Sequence, residues 1–457
     1  MSKRLILILA LAFVVGLCAT TYAAVQNVKV SGDLDVKGVL RNSIALADNP
    51  SNVNFGESIT AILSTVRLRV DADLTDNVST TVRLLNERVW GEEDSASTDI
   101  DLDLAYVTLK EFLYSPLTLT VGRQELRFGN GLIIGDPDTN GIAAGHTGTP
   151  VGLPISLDDL SSRKAFDAIR ATLNYDPLVV DLVMSKIDEN NVQQYDGVDL
   201  YGANAAYKFN KDLMGEAYLW QRSRDVASTT GITKAENLRT AGAKALYTGT
   251  KDLALGLEGA FQFGDHAANV LLYPDEGSAN NRNRKVTAYA IQAIASRAFP
   301  KVKYTPSARF SYTYLSGDKY SSLSDNYRGW SPMFEDQAGG TLFNKILGYS
   351  NAQLFNLSGS MKPMDDVTAT LDYYYLRANQ PFNSTGTVVL SGVTSDPAYT
   401  MKNKKGLGSE IDLGLKYDYT EDVQFGLGAG WFIPGSAFDK VNKKTASQVI
   451  GSMKVTF

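Results

Sequence analysis

The chain has 457 residues, with 44 Lys+Arg against 50 Asp+Glu, for a formal net charge of -6. A mildly acidic protein is not drawn to a phosphate backbone, which argues against a general nucleic-acid binder. Two His and one Cys leave almost nothing for a zinc site, a haem site or a thiol nucleophile, so no metal or cofactor is expected. The hydrophobic share of 44% is too high for a disordered chain, and length alone would allow two or three soluble domains.

The first residues narrow this. Lys3 and Arg4 precede an apolar run from Leu5 to Leu17, and Thr21 and Ala23 supply small residues before a cut. That is the layout of a secretory signal peptide over residues 1–23, leaving 24–457 as the mature chain. The run is short for a spanning helix, which needs about 17–25 residues. Leu17 before Cys18 is a poor lipoprotein site, and cleavage after Ala23 removes the single cysteine. No later stretch has 18 consecutive apolar residues, so a membrane crossing must use strands.

Alternation then dominates. From Thr65 to Leu74 every even residue is apolar and every odd one polar or charged. Period two places the two sets on opposite faces of a strand. The same pattern recurs at 100–106, 253–263, 308–314 and 410–419. Short turns rich in Asp, Asn, Pro and Gly fall at 75–77, 114–116, 175–177, 210–212, 249–252, 299–301, 362–365 and 420–422. Longer polar stretches lie between them, including 131–163, 318–350 and 379–406.

Eight short turns and nine long loops predict 18 strands with both termini on the short-turn side. The expected fold is all-β: one antiparallel transmembrane barrel with short periplasmic turns and long extracellular loops. A soluble β-sandwich also alternates but rarely segregates its connections so regularly, and no fixed short repeat supports a β-helix. Tyr373-Tyr374-Tyr375 and Tyr312 with Tyr314 fit interfacial aromatic girdles. The last strand ends Met453-Lys454-Val455-Thr456-Phe457, an aromatic terminus of the kind the barrel-assembly machinery reads.

Val121-Gly122-Arg123-Gln124-Glu125-Leu126, followed by Phe128-Gly129, resembles a strand of the alginate-export family of outer-membrane proteins. Further matches follow in order: 166–170, 200–202, 257–264, 316–318, Gly329-Trp330-Ser331-Pro332-Met333-Phe334, 408–412 and Phe432-Ile433-Pro434-Gly435. The resemblance spans Arg67 to Gly435. It implies an 18-stranded barrel and transport of an anionic polysaccharide through a cation-lined lumen.

Charge on a lipid-facing strand position costs about 2–4 kcal/mol at the bilayer midplane, so charged residues are expected to point inward. Lumen candidates for solute contact are Arg67, Arg69, Arg83, Arg123, Glu125, Arg127, Arg170, Arg309, Glu410 and Asp412. Arg123 and Arg170 sit in matched motifs, and guanidinium forks suit carboxylates. The plainer alternative is that these charges pair with one another and brace the wall. The set is mixed in sign, which fits a porin for another solute as readily as an alginate conduit.

Asp136-Pro137-Asp138-Thr139-Asn140-Gly141 begins like a calcium loop, but Thr147 stands where Glu is needed. His146 and His266 are read as loop residues, and Ser156 near His146 is too little for a rim enzyme. The expectation is a non-enzymatic, passive channel in the outer membrane of a diderm bacterium, reached by Sec-type export. Its partners are membrane lipid and a polysaccharide or small solute. A general small-solute porin and a non-conducting barrel that anchors surface partners are the alternatives. The segment 131–163 is expected to fold over or into the pore mouth.

Overall fold

Why the chain closes on itself follows from its alternating strands, each of which can satisfy its backbone only through two neighbours. The computed structural model describes residues 26–48, 56, 58–92, 100–137, 153–154, 156–189, 197–226, 234–267, 283–319, 326–337, 340–382, 387–391 and 396–457. The expected signal peptide, residues 1–23, lies outside this set, as do His146 and Asp138 to Gly141.

Eighteen strands form the wall. They are β1 (Asn27–Asn42), β2 (Ser58–Thr75), β3 (Val78–Val89), β4 (Asp101–Leu109), β5 (Leu117–Glu125) and β6 (Ala165–Asn174). Next come β7 (Leu178–Asp188), β8 (Val198–Lys208), β9 (Leu213–Val226), β10 (Lys234–Thr250), β11 (Leu253–Ala267) and β12 (Asn283–Ala298). The circuit ends with β13 (Ser307–Leu315), β14 (Ala352–Met364), β15 (Val367–Ala378), β16 (Gly406–Asp418), β17 (Val423–Pro434) and β18 (Ala446–Thr456).

Each strand pairs antiparallel with the next, and β18 returns to β1 with Thr456 opposite Asp33. The sheet therefore has no free edge. The predicted short turns join β2–β3, β4–β5, β6–β7, β8–β9, β10–β11, β12–β13, β14–β15 and β16–β17, and the nine long connections all lie at the other end. His266 falls within β11, opposite Arg284, rather than in a loop.

In the short-turn half the outer face is apolar. Val66, Leu68, Leu182, Leu219, Leu257, Leu357, Leu371, Leu413 and Leu427 are all exposed on it. Stacked or edge-on rings such as Tyr417 with Phe425 and Tyr289 with Tyr314 mark its borders. Phe457 closes the seam through reciprocal backbone bonds with Gly32 at 2.8 and 3.0 Å. A Cβ on Gly32 would sit 2.7 Å from the Phe457 ring, so only glycine admits the terminal aromatic there.

In the long-loop half the inner face is apolar as well. Inward positions Phe166, Val198, Leu200, Trp220, Leu238, Ala288, Leu376 and Phe432 are buried, because two connections enter the barrel and pack on them. Residues 126–137, after β5, bring Phe128 within 4.9 Å of Trp220. Residues 329–337 and 340–349, after β13, bring Phe334 edge-on to Phe166 and Met333 Sδ to Thr240 Oγ1 at 3.0 Å. The two segments are joined by a parallel bridge between Ile134 and Phe334.

Candidate functional site

The lumen is the candidate site, and its wall arginines come from parity. Val66 and Leu68 face out, so Arg67 and Arg69 face in. Each has a carboxylate partner: Asp33 for Arg67 at 3.0 Å, and Asp71 for Arg69 at 2.8 Å. Arg83 lies between Asp103 and Glu125, both at 2.5 Å. Asp103 reaches it because β4 carries an extra residue opposite the Arg83–Leu84 step. Glu125 lies past the last β4–β5 pairing and so can swing to Arg83.

Arg170 is held differently. Its Nε donates to Asp181 Oδ1 at 2.8 Å, and its guanidinium carbon stacks 5.4 Å from the Phe128 ring. That leaves the Nη edge toward the lumen. Arg309 sits between Ser296 and Ser358 and is exposed, with no carboxylate within ion-pair distance among the described residues.

Arg123 does not face the lumen. The register sets it opposite Ala105 and Asp167, and Asp167 shares its face with lipid-exposed Ile169. Arg123 pairs there with Asp167 at 3.0 Å. Its neighbours on that outer face, Lys186 and Asp199, form their own pair at 2.8 Å. These charges sit in the long-loop half, where the inside is packed. The inward rule for charge holds only along the bilayer core.

Arg127, Glu410 and Asp412 hold the inserted segments. Arg127 binds the Asp336 carboxylate, which also takes Lys164 at 2.5 Å. Glu410 is fully buried and accepts from the backbone N–H groups of Thr341, Leu342 and Phe343 at 2.6, 2.9 and 2.8 Å. These donors open the single helical turn α1 (Phe343–Ile346), whose first N–H groups have no partner within the turn. Asp412 accepts from Thr341 Oγ1 at 2.8 Å.

The first segment is pinned in the same way. Glu216 accepts from Gly129 N and Glu258 from Asn130 N, both at 3.0 Å, while Lys244 donates to Gly129 O at 2.9 Å. Asn130 Nδ2 donates to Gln292 Oε1 at 3.0 Å. Gly129 has φ +60, and a Cβ would lie 2.7 Å from Glu258 Oε1, so the Gly in the Phe128-Gly129 motif is what lets the loop reach the wall.

A third cluster joins the long-loop end of β1 to three loop acids. Arg41, fully buried, binds Asp159 through two bonds at 2.9 and 2.8 Å and the Ser156 carbonyl at 2.7 Å. Lys345 of α1 bridges Asp158 at 2.6 Å and Asp396 at 2.8 Å. Burial pushes Asp158 up to about 6, against the pull of Lys345, and burial also raises Asp396. Sequence reasoning missed Arg41, Asp158, Lys345, Asp336, Lys164 and Asp181, because most of them lie in loops with no periodic signal. Of the calcium-like motif, Asp136 lies 3.8 Å from Lys164, and no cluster of metal-ligating residues occurs among the described residues.

The family described as alginate export matches residues 33–452. No curated protein matches the chain. Among solved structures, the outer-membrane protein OpdK of Pseudomonas aeruginosa aligns with TM-score 0.56 at 12% identity, over 95% of this chain and 99% of that one. OccK2 (OpdF) of the same organism, in complex with glucuronate, aligns with TM-score 0.54 at 11% identity over 95% and 99%. OpdK with vanillate aligns with TM-score 0.51 at 12% identity over 94% and 99%. At these identities the likeness concerns the fold.

Proposed function

The chain belongs to the alginate-export family of outer-membrane barrels, and we propose that it conducts a hydrophilic anionic solute, a carboxylated sugar or its oligomer, by passive diffusion. One observation carries this: the Nη edge of Arg170 and the side chain of Arg309, neither with a carboxylate partner among the described residues, present guanidinium donors to the lumen. Such donors bind carboxylates in charge-assisted, planar fashion. Most other wall arginines are paired with carboxylates, so the field they present is local and anion preference is weak. Two of the similar barrels are described with glucuronate and vanillate, both carboxylates, which supports the same class here.

The long connections face outside the cell in this reading, and the seam residue Phe457 is the end offered to the assembly machinery. The inserted segments 126–137, 329–337 and 340–349 favour one alternative, a closed barrel that anchors partners through its loops. Planar-bilayer conductance decides between them. A conducting pore with an anion-leaning reversal potential and block by galacturonate oligomers supports the channel; no conductance at any voltage supports the anchor.

A further inference from the structure

The long-loop mouth carries a charge excess that neither the lumen nor the wall accounts for. Residues 402–405 and 440–444 hold six lysines, Lys402, Lys404, Lys405, Lys440, Lys443 and Lys444, and no acid, in a protein of net charge -6. The two stretches belong to the β15–β16 and β17–β18 connections, and they are held together. Met401 bridges Phe438, Lys402 N donates to Ala437 O at 2.6 Å, and Asp439 N donates to Thr400 O at 2.9 Å. A third segment joins them: Tyr399 donates to Ile44 O at 3.0 Å and Asn442 to Ala45 O at 3.0 Å. Ile44, Leu46, Tyr399, Met401, Ala437 and Phe438 form the dry core beneath.

The lysines are therefore mounted on a packed base. Lys402 meets Asp439 at 3.4 Å and Lys444 meets Asp48 at 3.2 Å. Lys404, Lys405 and Lys440 have no carboxylate partner among the described residues, and Lys443 donates to the carbonyls of Pro434 and Gly435. Burial, then the ammonium groups of Lys402 and Lys404, hold Lys443 below the ordinary lysine range, which reflects the crowding of like charge. Two of the six lysines meet a carboxylate and four meet none among the described residues, so the cluster keeps a net positive charge that a polyanion would offset.

We propose that these lysines form a capture platform for an acidic polysaccharide chain at the long-loop mouth. The proposal rests on the anionic-solute reading above and adds its docking site. Ammonium groups are point charges without the planar fork of arginine, so they suit repeated, loosely registered carboxylates rather than one fixed anion. Within a Debye length of ~8 Å at physiological salt they act together, raising local polyanion concentration and the rate of entry. The lumen arginines then act on chains already delivered.

The test uses the full-length barrel in detergent and in bilayers, with oligogalacturonate as the probe. The variant Lys404→Gln/Lys405→Gln/Lys440→Gln/Lys443→Gln is compared with the unaltered protein, and heat-modifiable gel mobility confirms that both are folded. If the quadruple variant misfolds, the exposed pair Lys404→Gln/Lys440→Gln replaces it. Expected are a loss of direct probe binding and an association rate for pore block lower by about tenfold at low salt, with the difference vanishing at high salt. Single-channel conductance stays the same.

Equal binding by variant and unaltered protein overturns the proposal, as does no binding by the unaltered protein. Binding without block leaves the platform standing and removes the transport reading instead. If the variant binds the probe normally but loses co-purifying lipopolysaccharide, the lysines serve lipid phosphates and the proposal fails.

Discussion

The carboxylate of Glu410 accepts a hydrogen bond from the backbone N–H of Leu342 at 2.9 Å, although the residues lie 68 positions apart. With the bonds from Thr341 and Phe343, one buried side chain fixes the start of α1 inside the barrel. Even an uncharged hydrogen bond contributes about 0.5–1.5 kcal/mol, and three meet here, so the inserted segment depends heavily on this residue. Glu410→Ala is expected to free residues 340–347 and raise single-channel conductance, with more flicker. The wall, closed by eighteen strands, should keep its resistance to detergent unfolding. Unchanged conductance in a folded variant would show that the segment is held without Glu410.

Selectivity separates the two arginines that sit in the family motifs. Arg170→Ala removes a guanidinium edge from the lumen, whereas Arg123→Ala breaks only an outer-face pair with Asp167. The reversal potential in a salt gradient should shift toward cations for Arg170→Ala, and further for Arg170→Ala/Arg309→Ala. Arg123→Ala should behave as unaltered protein to within error. A shift for Arg123→Ala equal to that for Arg170→Ala would contradict the strand register described above.

The barrel was legible from sequence because lipid enforces it: Val66, Arg67, Leu68 and Arg69 alternate because water and hydrocarbon lie on opposite sides of one strand. The face of Arg123 was not legible. Alternation states which residues share a face, and it says which face is dry only if the outside is known to be lipid. Beyond the bilayer core the inserted loops make the inside dry, so Phe166 turns in and Asp167 turns out. The signal that could have warned of this is Leu126, Phe128 and Leu132-Ile133-Ile134, large apolar residues in a loop that need somewhere to bury. The partners Asp33, Asp181 and Asp103 come from register and a bulge, which pattern alone does not specify.

The lipid-facing assignment has a direct stability test on adjacent residues of β15. Leu371 is exposed on the outer face, while Thr370 opens to the lumen. Leu371→Arg should destabilise the folded barrel in vesicles by about 2–4 kcal/mol, the cost of arginine near the bilayer midplane. Thr370→Arg should cost less than half of that. Urea unfolding followed by tryptophan fluorescence reads both. Equal penalties would mean that the two side chains do not lie on opposite sides of the wall.

Acidity should tighten the loop clamp rather than release it. Asp158, Asp159 and Asp396 gather around Lys345 and Arg41, so fully ionised acids would leave one negative charge in excess. Burial is the main cause that pushes Asp158 from its ordinary 3.8 up to about 6, and the Asp159 charge adds to it. A raised acid binds its proton better in the folded cluster than in the free segment. Its contribution to stability is therefore fully present below about 4 and is lost as pH rises through about 6. Asp159 runs the other way: although burial opposes ionisation, the Arg41 charge and hydrogen bonds hold it below its ordinary value, so its contribution is lost only under stronger acid. Between pH 7 and 5 the Asp158 effect should win. Protection factors at residues 342–347, with the intrinsic pH dependence of exchange divided out, should rise over that interval in the unaltered protein, and this rise should flatten in Asp158→Asn. Lower protection at pH 5 would show that losing the Lys345 ion pair outweighs the proton gained.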